Sequence, residues 1–303
     1  MTTGQTRILI LGGTGMLGHT LFERLSDRPD LDVHASVRDP APLASRVPPG
    51  QLSAIHAGVD AASFSSVERL LDEVRPAVVV NAIGIVKQLP TSRDPLASIE
   101  INALLPHRLA RVCAAADVRL VHVSTDCVFS GTKGGYTEGD PSDATDLYGR
   151  TNFLGEPAGP RVLTLRTSII GHQLVGRYGL VEWFLAQQGA TLGFRRAIFS
   201  GLPTVELARV LADYVFPQPE LSGLYHVSSE PISKLELLEL IAQRYGRQLE
   251  IVPRDEPVID RSLDSGRFQT ATGYRPPSWP DLVAQMHEDA SRRYPSALNV
   301  PAR

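Results

Sequence analysis

The feature that most constrains this chain is a cluster of glycines set between a strand and a helix. Arg7–Leu11 is an apolar run that reads as a buried strand. Gly12-Gly13-Thr14-Gly15-Met16-Leu17-Gly18 follows at once, and a helical pattern then runs from about Met16 to Asp27. A Gly-x-x-Gly-x-x-Gly loop in that setting allows a tight turn. It lets backbone N–H groups approach a pyrophosphate, with the positive end of the helix dipole behind them. Gly12, Thr14, Gly15, Met16, Leu17 and Gly18 are therefore the expected cofactor cradle. Glycines alone would be weak grounds; the strand before and the helix after make the motif specific.

The rest of the N-terminal half repeats the alternation. Strand-like runs at Asp32–Val37, Ser53–Ala57, Ala77–Ala82, Val118–Ser124 and Arg161–Thr167 are separated by helical patterns. One of these is Phe64–Val74, where Ser65 and Glu68 have capping-box spacing. Another runs to about Ala116, opened by Asp94 as N-cap and Pro95 in the first turn. The pattern predicts an α/β chain: a Rossmann-like, doubly wound parallel sheet with helices on both faces. Farther on, Val205–Val215 is amphipathic and Leu224–Ser228 is a strand. Ser233–Tyr245 is a helix with Ser233 and Glu236 as a second capping box. Arg254–Pro280 reads as ordered loop, and a last helix runs from Pro280 to about Arg293. The expected division is a dinucleotide-binding domain over 1–170, with 203–229 returning to it. A smaller, interleaved substrate-binding lobe takes 171–202 and 230–303.

Composition narrows the function. The 303 residues carry a net charge of −3, without the basic excess of a nucleic-acid binder. No apolar stretch approaches the ~20 residues of a membrane span, and Met1–Arg7 lacks the apolar core of a signal peptide. Cys113 and Cys127 are too few for a disulfide framework or a four-ligand zinc site, which fits a reducing cytoplasm. His172 and His226 are not in metal-ligand spacing, so no metal is expected.

Several polar positions fall at strand ends. Arg38 and Asp39 close the second strand. An arginine suits the 2′-phosphate of NADP and an acid the free hydroxyl of NAD, so Arg38 favours NADP while Asp39 keeps NAD open. Asp60 is placed to cap the adenine. Asn81, Ala82 and Gly84 follow the fourth strand as a second close approach to the cofactor, and Asn102 is assigned to the same side. The fifth strand runs into Ser124-Thr125-Asp126-Cys127-Val128-Phe129-Ser130-Gly131, and Tyr148-Gly149-Arg150-Thr151-Asn152 comes some twenty residues later. A strand-end hydroxyl and a helical tyrosine, whose i+4 neighbour shares its face, make a proton-transfer site.

These motifs, with Leu165-Arg166-Thr167-Ser168 and Gly223-Leu224-Tyr225-His226, resemble the extended short-chain dehydrogenase/reductases over nearly the whole chain. Within them the chain looks like the dTDP-4-dehydrorhamnose reductase branch. The resemblance implies an NAD(P)H-dependent reductase of a nucleotide-linked 4-keto-6-deoxy sugar. Tyr148 matches the proton donor, Thr125 the hydroxyl that orients the carbonyl, and Ser124 and Asp126 flanking polar positions. Asp126, Val128, Ile169, Arg195 and Arg261 are expected on the substrate side, with Arg196 and Arg267 as further candidates for its pyrophosphate. Ile169 stands where the rhamnose-forming enzymes tend to carry tryptophan. A homodimer is consistent with the superfamily.

One position departs from the pattern. Asn152 stands where the family has a lysine that contacts the nicotinamide ribose and stabilises tyrosinate. The chain has only three lysines, Lys87, Lys133 and Lys234. A unit charge ~5 Å away at an effective dielectric of ~20 is worth roughly 3 kcal/mol, about 2 pKa units on the phenol. A reductase uses the protonated phenol and tolerates that loss better than chemistry that needs tyrosinate. Asn152 therefore weakens the reading as a nucleotide-sugar epimerase or dehydratase of the superfamily. It leaves open a non-catalytic, NADP-binding regulatory subunit, a role known among relatives of this branch.

Overall fold

The computed structural model describes residues 4–87 and 90–294. Seven strands form one parallel sheet: β1 (Thr6–Leu11), β2 (Leu31–Ser36), β3 (Ile55–His56), β4 (Val78–Asn81), β5 (Arg119–Thr125), β6 (Val162–Thr167) and β7 (Gly223–His226). Their order is β7-β6-β5-β4-β1-β2-β3, and every neighbouring pair is parallel. The centre is apolar on both faces, as a sheet covered by helices on both sides requires. Ile8, Leu9, Ile10, Leu11, Val79 and Val80 are fully buried. Ile8 and Ile10 belong to one core and Leu9 and Leu11 to the other, the alternation that a strand's period of two imposes. The chain leaves β1 toward β2 on one side and returns as β4 on the other. The strand order therefore reverses beside β1, where open α/β sheets place their ligand crevice.

The smaller strands lie after β6. Ala197–Phe199 pairs with Ile232–Ser233 and Ile259–Asp260, Ala190–Phe194 with Glu250–Arg254, and Leu202–Pro203 with Ile169–Ile170. The segment Asp260–Asp264 is tied to the loop after β5. Asp260 N–H donates to Gly131 O at 2.8 Å, Tyr136 N–H to Ser262 O at 2.8 Å, and Asp264 N–H to Tyr136 O at 2.7 Å.

Four local expectations need correction. The strand expected at Ser53–Ala57 is reduced to Ile55–His56, because Pro49–Ala54 winds into a 3₁₀ turn opened by Pro48 and Pro49. Ser65 and Glu68 form no capping box. The helix Phe64–Val74 begins after Ser63, and it is Ser66 that bonds back, to Asp60 O and Ser63 O. The helices from Asp94 and Val205 each contain a π segment, Ile99–Leu104 and Leu211–Val215. The stretch Arg254–Pro280 holds a helix, Gly266–Thr272, whose Phe268 is fully buried. The capping box of Ser233 and Glu236 is present.

Candidate active site

The glycine loop is fixed by steric demand. Gly12 has φ +91°, the left-handed region that favours glycine, and a side chain there would press on Ile83. A Cβ on Gly18 would overlap the Gly12 carbonyl, so the helix Met16–Leu25 lies directly against the turn. Gly13 N–H donates to Ser36 O at 2.8 Å and Gly12 N–H to Ser36 Oγ at 3.2 Å, which ties the loop to the end of β2. Gly15 is the exposed N-cap, and the first N–H groups of the helix, at Met16 and Leu17, have no intrahelical acceptor. The turn can be this tight only with glycine, and the first N–H groups of the helix suit an anion's charge. The loop therefore fits a dinucleotide pyrophosphate.

Arg38 and Asp39 are exposed beyond the tip of β2. Asp39 is engaged locally, its Oδ1 accepting from Ala41 N–H at 3.0 Å. Arg38 has no side-chain partner among the described residues, so its guanidinium is free for a phosphate. Asp60 is exposed, and its Oδ1 accepts from Ala62 N–H at 3.1 Å.

The loop after β4 is braced from below. Asn81 is fully buried; its amide donates to His122 Nδ1 at 3.1 Å and its Oδ1 accepts from Ile83 N–H at 3.2 Å. Burial lowers His122 to about 4, so it is neutral and can accept that bond. Asn102, buried on the π segment, receives Ile85 N–H at 2.8 Å and donates to Ile85 O at 3.1 Å. Asn81 and Asn102 thus shape the loop through internal bonds, while the exposed Gly84 and the half-buried Ala82 form its surface.

Thr125 and Tyr148 come from separate elements. Asp146 caps the helix Leu147–Leu154, accepting from Gly149 N–H at 2.9 Å. A Cβ on Gly149 would overlap Cys127 O, and one on Gly155 would overlap Asn102 O, so the helix packs tightly against its neighbours. This brings the Tyr148 phenol close to the Thr125 hydroxyl, near enough for Thr125 to act on its acidity. Burial pushes the phenol above its usual range, Cys127 adds to this, Thr125 opposes it, and Asp126 and Asp146 raise it further. Tyr148 is therefore protonated at neutral pH. Thr125 Oγ1 also accepts from Cys127 N–H at 3.1 Å and donates to Asp126 Oδ1 at 3.2 Å. Burial pushes the Cys127 thiol up to about 12 and raises the Asp126 carboxyl.

Asn152 is folded back on its own helix, its amide donating to Tyr148 O at 2.8 Å. The lysines are engaged elsewhere: Lys87 with Asp146 at 2.9 Å and Lys133 with Asp140 at 2.6 Å, while Lys234 opens a helix in the C-terminal half. Arg150 is exposed and bonds to Ala144 O. Ser124 is not free either; its hydroxyl donates to Glu156.

The substrate-side residues scatter. Arg261 donates to Phe129 O at 2.7 Å, and its charge acts on both Asp126 and Asp146, which flank Thr125 and Tyr148 in the chain. Ile169 is half-buried in a short strand after β6. Val128 is fully buried in a cluster with Phe129, Tyr136 and Leu263, so it is a packing residue and not a pocket wall. Arg195 is exposed and pairs with Asp255 at 3.3 Å, Arg196 is exposed, and Arg267 lies over the Tyr225 ring. In the helix Leu180–Leu185, Val181 and Phe184 are fully buried. Among the described residues no group of three or more acidic, histidine or cysteine side chains could hold a metal ion. Reasoning on the sequence missed Glu156, Arg166 and His122. Arg166 was discoverable as a lone charge inside an otherwise uncharged buried strand, VLTLRT.

A glycine-cradled helix N-terminus at the reversal of strand order, with a threonine–tyrosine pair at the end of β5 on the same edge of the sheet, defines a Rossmann-type protein of the short-chain dehydrogenase/reductase kind. The chain belongs to the family described as RmlD substrate binding domain, whose family model matches residues 6–291. It is 26% identical over 311 residues to methionine adenosyltransferase 2 subunit beta of Mus musculus, covering 91% of this chain and 88% of that protein. It is 24% identical over 300 residues to dTDP-4-dehydrorhamnose reductase of Aggregatibacter actinomycetemcomitans, covering 91% and 96%. In structure it is similar to dTDP-4-dehydrorhamnose reductase of Bacillus anthracis solved in complex with NADP. The TM-score there is 0.77 at 20% identity, with 94% of this chain and 99% of that one covered.

Proposed function

We propose that this protein is an NAD(P)H-dependent reductase of a nucleotide-linked 4-keto-6-deoxy sugar, with NADP(H) as the favoured cofactor. The observation that carries the reading is the Tyr148 phenol beside the Thr125 hydroxyl at the end of β5, on the same edge of the parallel sheet as the glycine cradle. The backbone at Gly12, Thr14, Gly15, Met16, Leu17 and Gly18 would hold the pyrophosphate and Arg38 a 2′-phosphate. Asp60, Ala82 and Gly84 would line the remaining length. When bound, the reduced nicotinamide supplies hydride to the keto carbon. Thr125 orients the carbonyl oxygen and Tyr148 gives that oxygen its proton, leaving a phenolate that solvent reprotonates. Asn152 adds no positive charge to stabilise that phenolate, which makes the reverse, oxidative direction the slower one. Arg261, Asp126 and Ile169 are placed to meet the sugar nucleotide, and Arg195 lies farther out. In this reading residues 1–170 and 203–229 carry the cofactor and the remainder closes over the substrate.

Mixing the purified protein with NADPH and a dTDP-4-keto-6-deoxy sugar should consume the near-ultraviolet absorbance of the reduced cofactor. No consumption with any 4-keto nucleotide sugar overturns the proposal. A second reading, a cofactor-binding regulatory subunit, is favoured by the folded-back Asn152 and by the similarity to an adenosyltransferase subunit. Asn152→Lys separates the two: under the second reading turnover appears only in the variant, while brisk wild-type turnover removes it.

The exposed apolar side chains Leu96, Ile99, Leu104, Phe153 and Leu154 lie on two helical stretches that touch. They support a homodimer through this face. Both cysteines are free, which supports the cytoplasm. Among the described residues no helix is long and apolar enough to cross a membrane.

A further inference from the structure

Beneath the catalytic pair lies a row of buried polar groups that the reaction itself does not use. Ser124 faces Arg166 across β5 and β6, and Arg166 faces His226 across β6 and β7, so the three are aligned at neighbouring strand ends. Glu156 closes the row. Its Oε1 accepts from Ser124 Oγ and from Arg166 Nε, both at 2.7 Å, and its Oε2 accepts from Arg166 Nη2 at 2.7 Å. The Arg166 and Glu156 side chains are only 3% and 10% exposed. The guanidinium also lies 5.1 Å from the centre of the Phe129 ring and 3.4 Å from His226 Nε2. His226 Nδ1 is 2.9 Å from Tyr136 O.

An ion pair this far from water adds little stability over apolar residues of the same volume, because desolvation offsets the attraction. What it does provide is fixed geometry, since a bidentate arginine–carboxylate pair has one good arrangement. The pieces it joins are the ones that carry the reacting hydroxyls. Glu156 follows directly on the tyrosine helix, its N–H still bonded to Phe153 O. Ser124 precedes Thr125 in β5. We propose that Glu156 and Arg166 are positioning residues that grip Ser124 and so hold the Thr125 hydroxyl in register with the Tyr148 phenol. Ser124, which the resemblance gives as a flanking polar position, becomes the handle by which the strand end is held. The kinetic consequence rests on the reductase reading; the geometric claim does not.

The decisive variant is Ser124→Ala, which leaves the ion pair intact and frees the strand end. Two readouts are taken. One is the 13Cζ resonance of Tyr148 in tyrosine-labelled protein, assigned with Tyr148→Phe. The other is steady-state turnover with NADPH and the 4-keto sugar nucleotide. The expected result is a displaced Tyr148 resonance with the other tyrosines unmoved. kcat should fall about tenfold, with KM for both substrates within about twofold, because misplacement affects the reacting geometry more than binding. Ser124→Thr, which keeps the hydroxyl, should restore both readouts. Glu156→Gln should reduce kcat about a hundredfold. It also leaves the Arg166 charge unmatched, so if that chain does not fold, Ser124→Ala alone decides. An unmoved Tyr148 resonance in Ser124→Ala overturns the proposal. A wild type that reduces no 4-keto sugar overturns the reductase reading instead, and the resonance still tests the geometry.

Discussion

The cradle joins a strand to the helix that directly follows it, the proposed catalytic end joins a strand to a helix much later in the chain, and both junctions are held together by glycines that exclude a side chain. At the cradle a Cβ on Gly18 would overlap Gly12 O; at the catalytic end one on Gly149 would overlap Cys127 O. They differ in what the tight packing presents. The cradle presents backbone N–H groups, so its chemistry follows from chain geometry and tolerates many side chains. The catalytic end presents two hydroxyls, whose acidity depends on every neighbouring charge. Such a site can hold its shape without a lysine: Asn152 shares the Tyr148 helix face and bonds to Tyr148 O.

The comparison can be broken most directly at the side-chain end. Tyr148→Phe should lower kcat about a thousandfold while NADPH affinity, measured by fluorescence titration, stays within about twofold. Equal losses in both would mean that the two junctions are not separable. The converse variant is Gly18→Ala, where the added methyl meets backbone that cannot yield. Stability should fall by about 3 kcal/mol and NADPH should bind about a hundredfold more weakly. Unchanged cofactor affinity would remove the cradle from the binding site.

Acid tests the cofactor side, because the cradle and the loop after β4 each rest on a buried neutral histidine. His19 Nδ1 lies 2.8 Å from Gly15 O in the cradle, and His122 accepts from Asn81 beneath the other loop. Burial lowers both from 6.5 to about 4. A depressed histidine opposes protonation only in the folded state. Its contribution is complete above pH 6.5 and is lost as the pH falls toward about 4, about 3 kcal/mol for each site. Glu23 and Asp289, raised by burial, pull the other way, so the contrast with variants is what counts. Denaturant melts at neutral and acid pH should show a flatter dependence for His19→Asn and for His122→Gln than for wild type. Identical slopes would contradict this assignment. The smallest effect sharpens the cradle alone. Arg38→Ala should weaken NADPH about tenfold, roughly 1.4 kcal/mol, and leave NADH unaffected. Equal effects on both cofactors would mean that Arg38 does not meet the 2′-phosphate.

Much of this was legible beforehand. The Rossmann-like fold could be read because its parallel strands are buried on both faces and so appear as unbroken apolar runs, Ile8–Leu11 and Val78–Val80 among them. The helix Phe64–Val74 matched its expected limits because its apolar spacing is regular. Ile55–His56 was over-extended, since an edge strand is shortened by turn chemistry that periodicity does not register. The helix Gly266–Thr272 escaped because one buried anchor, Phe268, holds it in a stretch rich in arginine and proline.

The sequence by itself determined the glycine turn, the alternation that builds the sheet, and the threonine and tyrosine at their strand and helix ends. These depend on local sterics and on periods of a few residues. Only the tertiary structure decided that Val128 packs inward and that Asn152 turns back on its helix. It alone showed Ser124 answering to Glu156 and Arg166, residues 32 and 42 positions farther along the chain. Where a buried polar group finds its partner depends on which distant segments the fold brings together out of water, and no short stretch of sequence carries that information.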